Sequence, residues 1–350
     1  MKRLLFPVFA LVLMVVAGCA SAESEGGDSA DSGSGSSDNK ITIAWYPNES
    51  GGDLKAAREG IGQMIEEATG KEVEHKTTTD YIIAIEAIAN GNADVAYMGA
   101  QGYIEANNKN ENVQPIAVSS GESGTLDDAK YYSWLAVKNG NEEAYQQAGE
   151  YSIDNIAGKK FSFVSNSSTS GFKVPSAGIV SHFSEQEKYS DLAQEDLLKG
   201  GDFFSQVQFG GSHQGSAVNL LTGKAEIAAF CDVCVANYVE NVDGEHNKAG
   251  ATYEVTKDAA EPFSNLAGER FTLINSTPVL NAPFAMNTES LNEETQQQLV
   301  KAFTSDETAN NENIFVPEDS QDNALFYKSA KERFIQVEDS WFDPIRELSK

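Results

Sequence analysis

The residues best suited to chemistry in this chain are a run of hydroxyls. The stretch SNSSTSGFKVPSAGIVSHF, residues 165 to 183, sets Ser165, Asn166, Ser167, Ser168, Thr169 and Ser170 ahead of Gly171 and then turns apolar with helical spacing. The first four N–H groups of a helix lack internal partners, and the aligned peptide dipoles leave partial positive charge there. Bare amides and hydroxyls at such a mouth therefore make an anion cradle. The same residue types are also ordinary N-caps, so the loop alone does not separate capping from binding. Ser170, His213 and Asp232 are the residue types of a nucleophilic triad. Against that reading, no Gly-x-Ser-x-Gly elbow surrounds the serine, and three successive hydroxyls suit the cradling of oxygens better than the activation of one nucleophile. The histidines His75, His182, His213 and His246 are scattered, without zinc spacing. CDVC, Cys231 to Cys234, is compatible with a disulfide, a redox pair or a buried reduced pair, and a single CxxC is weak evidence for a metal.

Elements that could position these groups are written along the chain. ITIAWYP is an apolar run ended by Pro47. It leads into DLKAAREGIGQMIEEATG, where Leu54, Ala57, Ile61, Met64, Ile65 and Ala68 share a helical face, with Asp53 available as a cap and Gly70 as a stop. EVEHK then reads as a short strand, completing a βαβ unit. YIIAIEAIANGNADVAYMGA and SAVNLLTGKAEIAAFCD share a second pattern: an apolar helix end, a glycine, one residue, then Ala-acid-aliphatic-Ala. Aligning Gly91 with Gly223 sets Asp94 opposite Glu226, Val95 opposite Ile227 and Met98 opposite Phe230. Such a repeat predicts two α/β lobes of largely parallel strands with ligand bound beyond the strands' carboxyl ends. Those ends deliver Tyr46 after ITIAW, the hydroxyl loop after KKFSFV, His213 after FFSQVQF and its Gly210-Gly211-Ser212 turn, and Asp232 after AEIAAF. Several polar groups are thus expected to converge on one crevice.

The ends and the charge restrict the setting. Lys2 and Arg3 precede an apolar run from Leu4 to Ala17, too short for the roughly 20 residues a membrane span needs and suited to an export signal. VAGC, ending at Cys19, resembles the lipobox of bacterial lipoproteins, in which the cysteine becomes the lipidated first residue. Residues 20–39 carry no large apolar side chain and read as a flexible tether. Removing Lys2 and Arg3 from 25 basic residues leaves 23 against 53 acidic, a formal charge of −30. Such a surface repels nucleic acid, and no basic run reverses it locally. It does not forbid an anionic ligand, because distant charges are screened beyond about 8 Å whereas hydrogen bonds to a charged group contribute roughly 1.5–3 kcal/mol each.

Taken together, these residues resemble the phosphonate/phosphite/phosphate-binding substrate-binding lipoproteins of ABC importers, a family of type II periplasmic binding proteins. The resemblance covers most of residues 40 to 290. Its strongest pieces are the tyrosine helix and strand from Tyr81 to Tyr103, YYS at 131 to 133, STSG with Pro175, and FF(x)5GGSH from Phe203 to His213 followed by Asp232. The implied fold is α/β and two-lobed, each lobe a mostly parallel sheet flanked by helices, with two hinge crossovers. Lobe 1 is expected over 40–136 plus 268–350 and lobe 2 over 137–267. The resemblance further implies that Ser168, Thr169 and Ser170 hold phosphonyl oxygens and that His213 donates to another. Tyr81 and Tyr132 would reach across from the first lobe, Tyr46 would join them from its strand end, and Asp232 would receive a proton from the ligand. Asn281-Ala282 stands where the family often shows an acid, which puts an amino-bearing tail in question. The expected protein is a monomer with no metal or other cofactor and no catalytic activity. It would be lipid-anchored outside the cell membrane and would deliver a phosphorus oxyanion to an ABC permease. A secreted hydrolase using Ser170, His213 and Asp232, and a sensor lipoprotein on the same fold, are the alternatives.

Overall fold

A computed structural model describes residues 39–320 and 322–348. The export-signal reading, the lipidation reading of Cys19 and the tether through residue 38 lie outside the described residues. Two larger sheets organise the chain. One is six-stranded, in spatial order Phe334–Gln336, Val113–Ser119, Pro283–Asn287, Val95–Tyr97, Lys40–Trp45 and Glu72–Thr77; the other is seven-stranded and includes Lys130–Lys138, Lys160–Phe163, Gln206–Phe209, Ile227–Cys231 and Arg270–Leu280. The chain changes sheet between Ser119 and Lys130 and returns between Leu280 and Pro283, outside the interval from 136 to 267 expected from the sequence. Arg270–Leu280, read in the sequence as part of the first lobe, pairs along its length with Lys130–Lys138 in the seven-stranded sheet.

The predicted parallel cores are present. Lys40–Trp45 runs parallel to both Glu72–Thr77 and Val95–Tyr97, and Lys160–Phe163 runs parallel to both Gln206–Phe209 and Ile227–Cys231. Each sheet as a whole is nonetheless mixed rather than mostly parallel, because the strands next to the two crossings enter antiparallel.

Both faces of the sheets are covered, which explains why the strands read as unbroken apolar runs. Along ITIAWY, Ile41, Ile43 and Trp45 pack with Ile61, Ile65, Leu299 and Phe303 on one face. Ala44 and Tyr46 pack with Tyr81, Ala84 and Ile85 on the other. The second sheet divides likewise: Leu135, Val137, Phe161 and Phe163 on one side, Trp134, Ala136, Ala228 and Phe230 on the other. The helix Lys55–Thr69 ends at Gly70 in the left-handed conformation, as its sequence predicts, with φ of 69°. Its start differs: Asp53 does not cap it, and Asp53 Oδ2 instead accepts the hydroxyl of Tyr238 at 2.7 Å.

Among the described residues no helix is long and apolar enough to cross a membrane.

Candidate functional site

The hydroxyl loop folds as an N-terminus. Ser168 is the N-cap, its Oγ accepting from the Gly171 amide at 3.1 Å. A π-type turn over Thr169–Lys173 then runs into the helix Val174–Phe183, with Pro175 where its missing N–H costs nothing. Gly171 is required by contact: a Cβ there would stand 2.2 Å from Val164 Cγ2. The three hydroxyls do different things. Ser168 Oγ also meets His213 Nε2 at 3.3 Å, and Thr169 Oγ1 accepts the Gln101 amide at 2.9 Å, at the start of the helix Ala100–Lys109. Ser170 Oγ is buried and has no hydrogen-bond partner.

This loop forms one wall of a cavity of about 70 Å³ between groups carried by the two sheets. Tyr46, Asn48, Glu49 and Tyr81 come from the six-stranded side, and Tyr131, Ser168, Thr169, Ser170, His213 and Gln214 from the other. That is several times the roughly 10–15 Å³ a cavity needs to hold one water, room for a small ion. Among the described residues, the buried side-chain polar atoms without a partner are Tyr46 Oη, Glu49 Oε2, Ser170 Oγ, Gln214 Oε1 and Ser276 Oγ. All but Ser276 belong to residues lining this cavity. Unpaired buried polar atoms cost about 1–3 kcal/mol each, so their gathering in one small space points to a polar occupant.

The tautomer of His213 follows from its neighbours. Nδ1 lies 3.0 Å from the backbone N–H of Cys231, which can only donate, so Nδ1 accepts and the ring proton sits on Nε2, aimed at Ser168 Oγ and the cavity. Burial pushes the imidazole down to about 3, which keeps it neutral. His213 is therefore a donor at Nε2. It cannot take a proton from a serine at Nε2. Asp232 is not its hydrogen-bond partner: Asp232 Oδ1 accepts from the Tyr132 amide at 2.9 Å and Oδ2 from Asn247 Nδ2 at 3.2 Å. The triad reading fails on both counts.

Two sequence-predicted site residues fall outside the cavity. Asp232 is buried at the strand end as expected, but it is absent from the lining and both its oxygens are engaged; burial raises it to about 6. Tyr132 is also absent. Side chains alternate along a strand, so Tyr131 faces the crevice while Tyr132 packs beside Trp134 on the opposite face. The phenol of Tyr131 lies beside Ser170 and Thr169, the place expected for Tyr132. Tyr81 does line the cavity, its hydroxyl 2.7 Å from Asn48 Nδ2, and the Tyr46 ring packs against it, tilted by 42° with ring centroids 4.2 Å apart. Gly102 makes room for Tyr46, whose hydroxyl would stand 1.6 Å from a Cβ at that position.

Asn48, Glu49, Gln214 and Tyr131 were not picked out from the sequence. Asn48 and Glu49 follow Tyr46 and Pro47 just beyond a strand's carboxyl end, the one signal that could have found them. Asn48 Oδ1 accepts the amide of His213 at 3.1 Å, and Gln214 Nε2 donates to the carbonyls of Asn48 and Cys234, so polar bonds run directly between the two sides. Asn281 and Ala282 also line the cavity, and the Asn281 amide is turned to Ser119. The cysteine question is resolved: Cys231 and Cys234 form a disulfide. Their sulfurs lie close to a ring nitrogen of His213, but bonded to each other they offer no thiolate to a metal.

A small, partly apolar cavity shut between two mixed α/β sheets, with uncharged donors at a helical mouth, is the architecture of a solute-binding protein. Comparison with known proteins supports that class and makes it specific. The pattern described as "ABC transporter, phosphonate, periplasmic substrate-binding protein" matches residues 43–342, and the chain belongs to that family. The Phosphate-import protein PhnD of Mycolicibacterium smegmatis is 29% identical over 201 residues, 56% of this chain and 56% of its own length, so the match spans little more than half of that relative. Two solved structures share the fold with a TM-score of 0.63 and 17% identity, each over 89% of this chain. They are the binding protein component of an ABC phosphonate transporter from Pseudomonas aeruginosa, covered over 85%, and PhnD1 from Prochlorococcus marinus in complex with methylphosphonate, covered over 97%. The fold is thus the type II periplasmic-binding-protein fold, and the family is one of solute-binding proteins rather than enzymes.

Proposed function

We propose that this chain is an extracytoplasmic lipoprotein that captures a small phosphorus oxyanion, phosphate, phosphite or a short phosphonate, and delivers it to an ABC permease without transforming it. The observation that carries this reading is the gathering of unpaired buried polar atoms around a space with room for a small ion. Tyr46 and Ser170 offer hydroxyl donors from opposite sides, and the Nε2–H of His213 joins Ser170 on its side. Hydrogen bonds from such donors to a charged oxygen gain strength in a site closed to water. Tyrosine ring faces supply cover for a P–H or P–C substituent that needs no hydrogen bond. The names of the relatives support the same ligand class. The two lobes are proposed to meet at the sheet crossings, 120–129 and 281–282, and Cys19 is proposed to carry the lipid that tethers the molecule.

A thermal-shift and calorimetric panel of phosphate, phosphite, hypophosphite, methylphosphonate and aminoethylphosphonate tests the reading. The compact ions are expected to bind, and the aminoethyl compound to bind more weakly because the cavity lacks room for its tail. No stabilisation by any member would end the reading. Incubation with a fluorophosphonate is expected to leave Ser170 unlabelled.

A further inference from the structure

Among the described residues, Glu49 is the one that brings a carboxyl group to the cavity lining. It ends the short Pro47–Glu49 turn after the first strand, and its Oε2 is buried without a partner. The nearby cation is spent elsewhere: Arg58 Nη1 donates to the carbonyls of Glu49 and Gly51. The other titratable groups around it are the phenols of Tyr46, Tyr81 and Tyr97 on its own side and those of Tyr131 and Tyr238 on the facing side, with His213 across the cavity. Asp53, further along the same loop, is held by the Tyr238 hydroxyl. A carboxylate facing an oxyanion at this range is repulsive unless a proton lies between them. Asp232, to which the family resemblance assigned that proton, is off the lining and fully engaged.

We propose that Glu49 is a specificity-determining residue that holds one proton jointly with the bound phosphorus oxyanion, so that the site takes ligand and proton as a pair. This rests on the phosphorus-oxyanion reading above. The pair is either a carboxylic acid donating to P–O⁻ or a P–OH donating to the carboxylate; the proton count is the same. Burial raises the free Glu49 carboxyl to about 8. Below that pH the acid already holds the proton, so a phosphoryl dianion binds with no net exchange and a monoanion gives up its own proton. Above it each binding event must draw one proton from solution, and affinity falls about tenfold per pH unit. The surrounding groups do not imitate this. Burial raises all five phenols above their ordinary value, His213 stays neutral, and Arg58 remains a cation.

The test is calorimetry of the purified full-length protein with methylphosphonate and with inorganic phosphate at pH 7 and pH 9.5, in buffers of different ionisation enthalpy. The native protein is expected to take up about one proton per ligand at the higher pH and none at the lower, where the protonated fraction of the ligand releases its proton instead, with affinity down roughly tenfold. Glu49→Gln, whose amide donates without titrating, is expected to show neither effect. Binding at pH 9.5 without proton uptake, or an alkaline loss retained in Glu49→Gln, overturns the role of Glu49 alone. The proton count of the native protein decides the matter even where the variant does not fold. Failure of both ligands to bind the native protein at either pH overturns the phosphorus-oxyanion reading itself.

Discussion

Thr169 and Ser170 are adjacent and chemically alike, yet removal of their hydroxyls is expected to have opposite effects on the empty protein. Thr169 Oγ1 holds the Gln101 amide, so Thr169→Ala leaves a donor unpaired and costs about 1–3 kcal/mol of stability. Ser170 Oγ holds nothing, so Ser170→Ala leaves the melting temperature unchanged or slightly higher while weakening oxyanion binding ten- to a hundredfold, about 1.5–3 kcal/mol. Paired melting and titration of the two variants separates the structural hydroxyl from the ligand hydroxyl. His213 carries a pH signature of its own. Its folded value of about 3 lies below the unfolded value of about 6.5, so between these limits the unfolded chain binds more protons. Its contribution is complete above pH 6.5 and is lost as pH falls toward 3, at about 1.4 kcal/mol per unit. Asp232 and Glu49, raised by burial, act in the opposite sense, so the difference between native and His213→Gln is the quantity to measure. Denaturation from pH 4 to 6.5 is expected to show the native protein losing stability faster than the variant on acidification. At this scale the sequence was only partly legible. It named the hydroxyls, His213, Tyr46 and Tyr81, but YYS does not reveal which tyrosine faces the crevice, since that depends on strand parity set by pairing with Val279 and Pro278.

The repeated helix-glycine-strand unit was the most legible element, and its two copies do the same work. After the helix Tyr81–Ala89, Gly91 turns with φ of 69°, and Asp94 accepts the amide of Thr42 at 2.8 Å. After the helix His213–Leu221, Gly223 turns with φ of 73°, and Glu226 accepts the amide of Lys160 at 3.0 Å. In each copy the acid pins the start of the strand to its parallel neighbour. Alignment of the glycines found this pairing because the turn admits only residues that tolerate positive φ. The copies differ in burial: Asp94 is buried, whereas the Glu226 side chain is 47% exposed. Asp94→Ala is therefore expected to lower stability by about 1.5–3 kcal/mol, and Glu226→Ala by less than about 1 kcal/mol, as read from urea midpoints. Helix caps were harder to read. Asp53 suits a cap by type but is drawn to a tyrosine nearly two hundred positions away in sequence, a contact that no local pattern encodes.

Across the whole molecule, the two sheets and their cores follow from apolar strands buried on both faces. The places where the chain crosses between them do not, because Lys130–Lys138 and Arg270–Leu280 read simply as long strands. Polar bonds join the two sides around the cavity: Tyr238 to Asp53, Ser167 to Glu105 at 2.7 Å, and Thr169 to Gln101. Those at the rim bear on closure more than on folding. Tyr238→Phe is expected to leave the melting temperature of the empty protein within about 1 °C while weakening ligand affinity roughly five- to tenfold, on the order of 1 kcal/mol. Small-angle scattering of the empty variant, compared with native, checks whether the shut form has become rarer.

The unmet groups of Tyr46, Glu49, Ser170 and Gln214 have one more consequence. Shutting the molecule around nothing strands all of them. At about 1–3 kcal/mol apiece the total is comparable to the roughly 5.5 kcal/mol that inverts a 1:99 population. A vacant molecule should therefore rest ajar and a laden one stay clasped, so that shape alone announces cargo to a transporter waiting at the membrane.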